Sequence, residues 1–224
     1  MIQAVLFDLA NTLVDGPSES GLIGEALAAA GLATSPQAGR QRVWELEPNL
    51  NDRIDLMPNQ DAQKAFHADL SRRLGVDVDT VMEGFAGKWR TFPEAKRVVA
   101  ETRARGYRVG LVSNWGPTGD DVLDVTGLRP YLETVVFSYA CGKLKPDPGI
   151  FRLAAERLGV DPAHCLMVGD NLQADVWGAL GAGMHAYWVN RAGRQAPVMV
   201  PSGPDLEPLL QHLPPLRQAV ERLG

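Results

Sequence analysis

Apolar and polar positions fall into two textures along this chain. At residues 4–7, Ala4, Val5, Leu6 and Phe7 make an unbroken apolar run that stops at Asp8, the pattern of a strand buried on both faces. Similar short runs recur over 107–112, 134–137, 165–168 and 185–189; the run over 107–112 stops at Ser113-Asn114 and the run over 165–168 at Gly169-Asp170. Helical spacing predicts helices over 93–106, 120–125, 146–158 and 172–180, with Pro93 and Pro146 in first turns. Strands of four to six residues alternating with helices predict crossover connections and a parallel sheet covered on both faces, an α/β fold.

The alternation is interrupted after the first strand. Turn residues Asp15, Gly16 and Pro17 lead into a segment, 21–90, whose apolar residues recur at helical spacing: Leu22, Ile23, Ala26, Leu27 and Ala30, then Val43, Trp44 and Leu46, then Ala65, Phe66 and Leu70, then Val81, Met82, Phe85 and Trp89. Four helices and no strand are predicted here, separated by Gly31, Pro36, Pro48-Asn49, Pro58-Asn59 and Gly75. Residues 1–14 and 92–224 then form a core domain and 15–91 an inserted helical domain, with Trp44 and Trp89 expected in the insertion's own core. A loop with three prolines is predicted over 193–204, then short closing helices over 205–213 and 216–223.

Composition narrows the function classes. The 224 residues carry a formal net charge of −5, so a nucleic-acid or anionic-membrane role lacks its basic field, and no stretch of about 18 apolar residues is present to span a bilayer. Cys141 and Cys165 have no partner motif; neither a disulfide framework nor a zinc site is expected, and both read as packing residues. Asp8 inside the first apolar run does not fit a signal peptide, so a cytoplasmic protein is expected, monomer or homodimer.

Three strands end in polar groups able to converge: Asp8, then Ser113 and Asn114, then Gly169 and Asp170 with Asp175 five positions on. In open α/β sheets the carboxyl ends of the strands carry the ligand site. Asp8 and Asp170, once adjacent, repel each other unless a cation lies between them, and hard oxygen donors suit Mg²⁺. A hydroxyl from Ser113 and an ammonium from the loop Cys141-Gly142-Lys143-Leu144-Lys145-Pro146 supply donors for an oxyanion, and together these describe phosphoryl transfer through an aspartate nucleophile. The structural alternatives are a helix cap for Ser113-Asn114, a solvated Lys145, and an Asp175 that only complements a helix N-terminus.

The order of these pieces resembles the haloacid dehalogenase superfamily, in particular its phosphatase-like members with a helical cap after the first strand. On that resemblance Asp8 matches the nucleophile of the first motif, Ser113 the hydroxyl of the second, Lys145 before Pro146 the lysine of the third, and Gly169-Asp170 with Asp175 the paired acids of the fourth. It implies a Rossmann-like core, Mg²⁺ held by Asp8, Asp170 and the backbone carbonyl of Ala10 with Asp175 in support, substrate contacts from Ser113, Asn114 and Lys145, and a cap that excludes water over a small phosphorylated metabolite.

One position departs from the pattern. Phosphatase members carry a second aspartate two residues after the nucleophile, which protonates the leaving oxygen and then activates water; here it is Ala10. Acid–base help of that kind contributes about 10²- to 10⁴-fold, so slow turnover of alkyl phosphates is expected, aryl and acyl phosphates suffering least. The resemblance also admits a phospholigand-binding or interaction protein on the same scaffold, a phosphonoacetaldehyde hydrolase, which has alanine here but needs a cap lysine (Lys64 or Lys88), and a 2-haloacid dehalogenase, which has an aromatic residue here. His67 is expected at a surface or packing position, Arg53 and Lys64 on solvated helix faces, and Trp115 at the site mouth or packed under the cap.

Overall fold

The computed structural model describes residues 1–195 and 200–216. In chain order the elements are β1 (Ala4–Phe7), β2 (Val14–Asp15), α1 (Glu19–Ala29), α2 (Pro36–Leu46), α3 (Leu50–Asp55), α4 (Gln60–Leu74), α5 (Val78–Met82), β3 (Arg90–Thr91), α6 (Ala95–Ala104), β4 (Arg108–Ser113), α7 (Gly119–Thr126), β5 (Thr134–Phe137) and α8 (Ser138–Cys141). They continue with α9 (Pro148–Leu158), β6 (Cys165–Gly169), a π-helical turn (Leu172–Trp177) running into α10 (Gly178–Gly181), β7 (His185–Val189), β8 (Ser202–Gly203) and α11 (Leu209–His212).

The main sheet is parallel with strand order β5-β4-β1-β6-β7-β8. Its central strand is β1, apolar at every position, and alternate residues serve opposite faces: Val5 and Phe7 pack with α6 and α7, Ala4 and Leu6 with α9 and α10. Phe7 lies level with Leu111 of β4 and Val168 of β6. The next residues therefore leave three neighbouring strands at one edge, where the connections diverge to opposite sides of β1.

The helical insertion has its own apolar core of Ile23, Leu27, Val43, Leu50, Ile54, Phe66, Leu70, Leu74 and Val78. Helices α1 and α2 cross backbone to backbone, because a Cβ at Gly39 would lie 2.3 Å from the Gly24 carbonyl oxygen and one at Gly24 would lie 2.6 Å from that of Pro36. Within this core His67 is buried between two acids, Nδ1 3.0 Å from Asp79 and Nε2 3.7 Å from Glu19. Burial opposes its charge, but Glu19 and Asp79 outweigh that and hold its pKa above the ordinary 6.5. The stability His67 contributes is therefore complete below the unfolded-state pKa near 6.5 and lost as pH rises through the raised folded value. We expect the urea midpoints of the wild type and His67→Gln to differ most at pH 6 or below and to converge under alkaline conditions; a gap that widens with pH refutes this pairing.

Several expectations are corrected. The insertion contains five helices rather than four: α3 was not foreseen, and the expected last helix is the short α5 followed by a single turn at Ala86–Lys88. Its two ends are joined by an antiparallel pair, Val14 with Thr91 and Asp15 with Arg90, where no strand was expected near Arg90. Trp44 is 46% exposed with Arg40 over its ring, while Trp89 packs into the sheet-side cluster against Trp115. Helix α9 starts at Pro148, not Pro146, because the Asp147 carboxylate caps it by accepting from the Gly149 N–H. Part of the expected proline-rich loop is β8, paired with β7, and Cys141 is half-buried rather than packed inside. Of the closing helices, 205–213 contracts to α11, and 216–223 lies outside the described residues after Leu216. No helix among the described residues is long and apolar enough to cross a membrane.

Candidate active site

The bond pattern at the carboxyl edge of the sheet begins with Asp8, one residue past β1 and almost fully buried. Its Oδ1 accepts from Ser113 Oγ at 2.9 Å and from Lys145 Nζ at 2.6 Å, and its Oδ2 from Thr12 Oγ1 at 3.3 Å. Ser113 is the last residue of β4, so its position follows from the register that sets β4 beside β1.

Lys145 reaches in from the loop before α9. Its ammonium donates to Asp8 Oδ1, to Asp175 Oδ1 at 2.5 Å and to the Val112 carbonyl at 3.0 Å. Three N–H groups meet three acceptors, so the buried ammonium is the fixed charge of the group. Desolvation opposes that charge, but attraction to Asp175 and Asp8 outweighs it and keeps the pKa of Lys145 above the usual lysine value. Asn114 holds the lysine's backbone in place: its Nδ2 donates to the Lys145 carbonyl at 3.1 Å and its Oδ1 accepts the Lys145 N–H at 2.7 Å.

The acids from the far side of β1 arrive through a tight corner. Asp175 lies in the π-helical turn, and its Oδ2 accepts the Asn171 N–H at 2.9 Å. A Cβ at position 169 would fall 2.2 Å from that carboxylate, so only Gly169 lets Asp175 close on the strand end. Asp170 is half-buried, and its backbone carbonyl accepts from Trp188 Nε1 at 2.9 Å. Asp8, Asp170 and Asp175 each offer an oxygen within 4.8 Å of the others. Lys145 pairs with two of these acids and not with Asp170. Burial, then the charges of Asp8 and Asp175, push the Asp170 carboxyl up to about 7; burial also pushes Asp175 up to about 6, against the pull of Lys145.

This donor set fits a hard divalent cation. Three acids share a pocket with one ammonium, all the donor atoms are oxygens, and Asp170, with no cationic partner among the described residues, is held back from ionising by burial and its acidic neighbours.

A cavity of about 160 Å³ opens beside this group, lined in part by Ala10, Glu19, Asp55, Trp89, Asn114 and Trp115. Trp115 is both packed and at the rim, edge-on to Trp89, whose Nε1 has no hydrogen-bond partner among the described residues. At position 10 the cavity meets a methyl group.

Of the residues singled out from the sequence, Asp8, Ser113, Lys145 and Asp175 form one bonded cluster, Asp170 adjoins it, Asn114 buttresses it, and Ala10 faces the cavity. Arg53 is turned away, stacked over Phe66 and paired with Glu47. Sequence reasoning missed Arg191, which donates to the carbonyls of Asn11 and Thr12 and stacks on Phe92, so pinning the turn after Asp8 in which Asn11 adopts a left-handed φ of 57°. It also missed Thr12, whose spacing of four from Asp8 is a readable signal, and Asp55, for which the sequence offers none.

Known proteins resemble this chain in both sequence and fold. A phosphoserine phosphatase from Thermus thermophilus is 38% identical over 125 residues, 55% of this chain and 48% of that protein; the chain thus spans about half the length of that relative. A glyceraldehyde 3-phosphate phosphatase from Methanothermobacter thermautotrophicus is 27% identical over 200 residues, 85% of this chain and 86% of that one. The crystal structure of a HAD phosphatase from Thermococcus onnurineus superposes with a TM-score of 0.73 at 28% identity, covering 96% of this chain and 99% of that one. The haloacid dehalogenase-like hydrolase family matches residues 2–183, and with its parallel sheet and strand-end acids this chain is a member of that family.

Proposed function

We propose that this protein is a Mg²⁺-dependent phosphatase of a small phosphorylated metabolite, acting through an aspartyl phosphate on Asp8. The observation that carries the reading is the convergence of Asp8, Ser113, Lys145 and Asp175 through direct hydrogen bonds, with Asp170 adjacent. The named phosphatases among its relatives support it, and they act on small phosphorylated compounds by their names.

Asp8 attacks phosphorus; Ser113 and Lys145 orient its carboxylate, and the ammonium charge held beside it stabilises the charge that moves onto the phosphoryl oxygens. Asn114 fixes the height of Lys145, and Asp175 keeps the ammonium aimed at the nucleophile. Asp8, Asp170 and the backbone carbonyl of Ala10 would hold Mg²⁺, with Asp175 in support. Bound there, the ion supplies Lewis-acid stabilisation of phosphoryl charge and offsets repulsion between an incoming dianion and Asp8. Residues 15–91 act as a cap over the core of 1–14 and 92–224, excluding water.

The test is phosphate release from p-nitrophenyl phosphate and acetyl phosphate with Mg²⁺ and with EDTA. Mg²⁺-dependent release is expected; none from either substrate overturns the reading. Asp170→Asn should weaken Mg²⁺ at least about 10- to 100-fold, the scale set by losing even an outer partner of a metal site, measured by calorimetry at slightly alkaline pH. Unchanged Mg²⁺ affinity in that variant removes Asp170 from the metal site.

A further inference from the structure

The absence of a carboxyl at position 10 leaves the leaving oxygen without a proton donor on the loop that follows the nucleophile. A carboxyl reaches the same cavity from the insertion. Asp55 ends α3, and its backbone is tied to the loop after Ser113: its carbonyl accepts from Ser138 Oγ at 2.7 Å, and Ser138 Oγ in turn accepts the Trp115 N–H at 2.9 Å. The approach depends on glycine, since a Cβ at Gly116 would lie 2.8 Å from the Ile54 carbonyl oxygen. Asp55 and Ala10 therefore line one cavity of about 160 Å³. Glu19 lines it too, but its carboxylate is turned toward Gln63 and His67.

On the phosphatase reading above, we propose that Asp55 is the catalytic acid and base of this enzyme, replacing from the helical insertion the group that position 10 lacks. In the first half-reaction Asp8 attacks phosphorus, the bond from phosphorus to the leaving oxygen breaks, and that oxygen takes the Asp55 proton. In the second, water gives a proton to the Asp55 carboxylate and attacks phosphorus, the bond to Asp8 breaks, and inorganic phosphate leaves with Asp8 restored.

The proton is available at neutral pH. Burial, then the charges of Glu19 and Asp52, push the Asp55 carboxyl up to about 7, against the Gly116 N–H and Lys145. Both the acid and the base form are thus populated under working conditions, as the two half-reactions require.

The test compares leaving groups in Asp55→Asn. With glycerol 2-phosphate, whose alkoxide cannot leave unprotonated, turnover should fall about 10²-fold or more. With p-nitrophenyl phosphate, the pre-steady-state burst of nitrophenolate should fall only a few-fold, followed by a slow steady state while the aspartyl phosphate waits for a base. Asp55→Glu should keep the dependence of glycerol 2-phosphate turnover on a group titrating near neutrality, and Ala10→Asp in the Asp55→Asn background should restore that turnover. Equal losses on the burst and on the alkyl ester, no loss on either, or failure of Ala10→Asp to rescue overturns the assignment while leaving the phosphatase intact. Absence of nitrophenolate release by the Mg²⁺-loaded wild type overturns the phosphatase reading itself, and this inference with it.

Discussion

Asp8→Asn lowers phosphate release from p-nitrophenyl phosphate by about 10⁴- to 10⁶-fold, the scale on which loss of a nucleophile is felt. The amide has nearly the shape of the carboxylate and still presents an oxygen to Ser113 and Lys145, which bond Asp8 in the wild type. It is a poor nucleophile toward phosphorus and forms no stable phosphoester, so only positioning and electrostatic help remain. Circular dichroism and thermal midpoint should stay close to the wild type, since one of three crowded acids has been neutralised. A variant that keeps its fold and a tenth of its activity would show that another group attacks.

Lys145→Met has the largest expected effect on stability. The substitution keeps the length of the side chain and removes the ammonium that joins Asp8, Asp175 and the Val112 carbonyl. Two buried carboxylates then face each other without the cation between them, and breaking a buried pair from one side costs about 3–5 kcal/mol. The sign with pH follows from the acids. Asp175 and Asp170 are raised to about 6 and 7 in the folded chain, so their contribution is complete below the unfolded value of 3.8 and lost as pH rises through the folded values. The variant's deficit should be greatest at alkaline pH, shrink on acidification toward pH 5 and shrink again on adding Mg²⁺. A denaturation midpoint at neutral pH equal to the wild type would show that the ammonium is not balancing these acids.

Much of this site could be read from the chain because its parts end strands. A buried parallel strand tolerates no charge, so the apolar run through Phe7 had to stop at Asp8, and the run through Val168 at Gly169-Asp170; both stops lie on the ligand edge of the sheet. Ser113 followed for the same reason, and the bond from Lys145 completed the group. The insertion was less legible. Helix α3 has only six residues, too few for a helical spacing to show between Pro48 and Pro58, and Asp55 lies in it. Trp89 and Trp44 show the same difficulty: both carry helical spacing, yet one joins the sheet-side core and the other lies open on α2, because which face is covered depends on partners distant in sequence. Arg191 is 180 positions from the carbonyl it holds at Asn11, and nothing local marks it.

The central claim, that Asp8 carries the phosphoryl group in turnover, has a direct measurement. Mg²⁺-loaded protein mixed with p-nitrophenyl phosphate and quenched in acid during the burst, then digested and weighed by mass spectrometry, should show one added phosphoryl group on the peptide containing Asp8, lost on incubation in mild alkali and absent when EDTA replaces Mg²⁺. Phosphate release at full rate with that peptide never labelled, or the label on a different residue, would contradict the account.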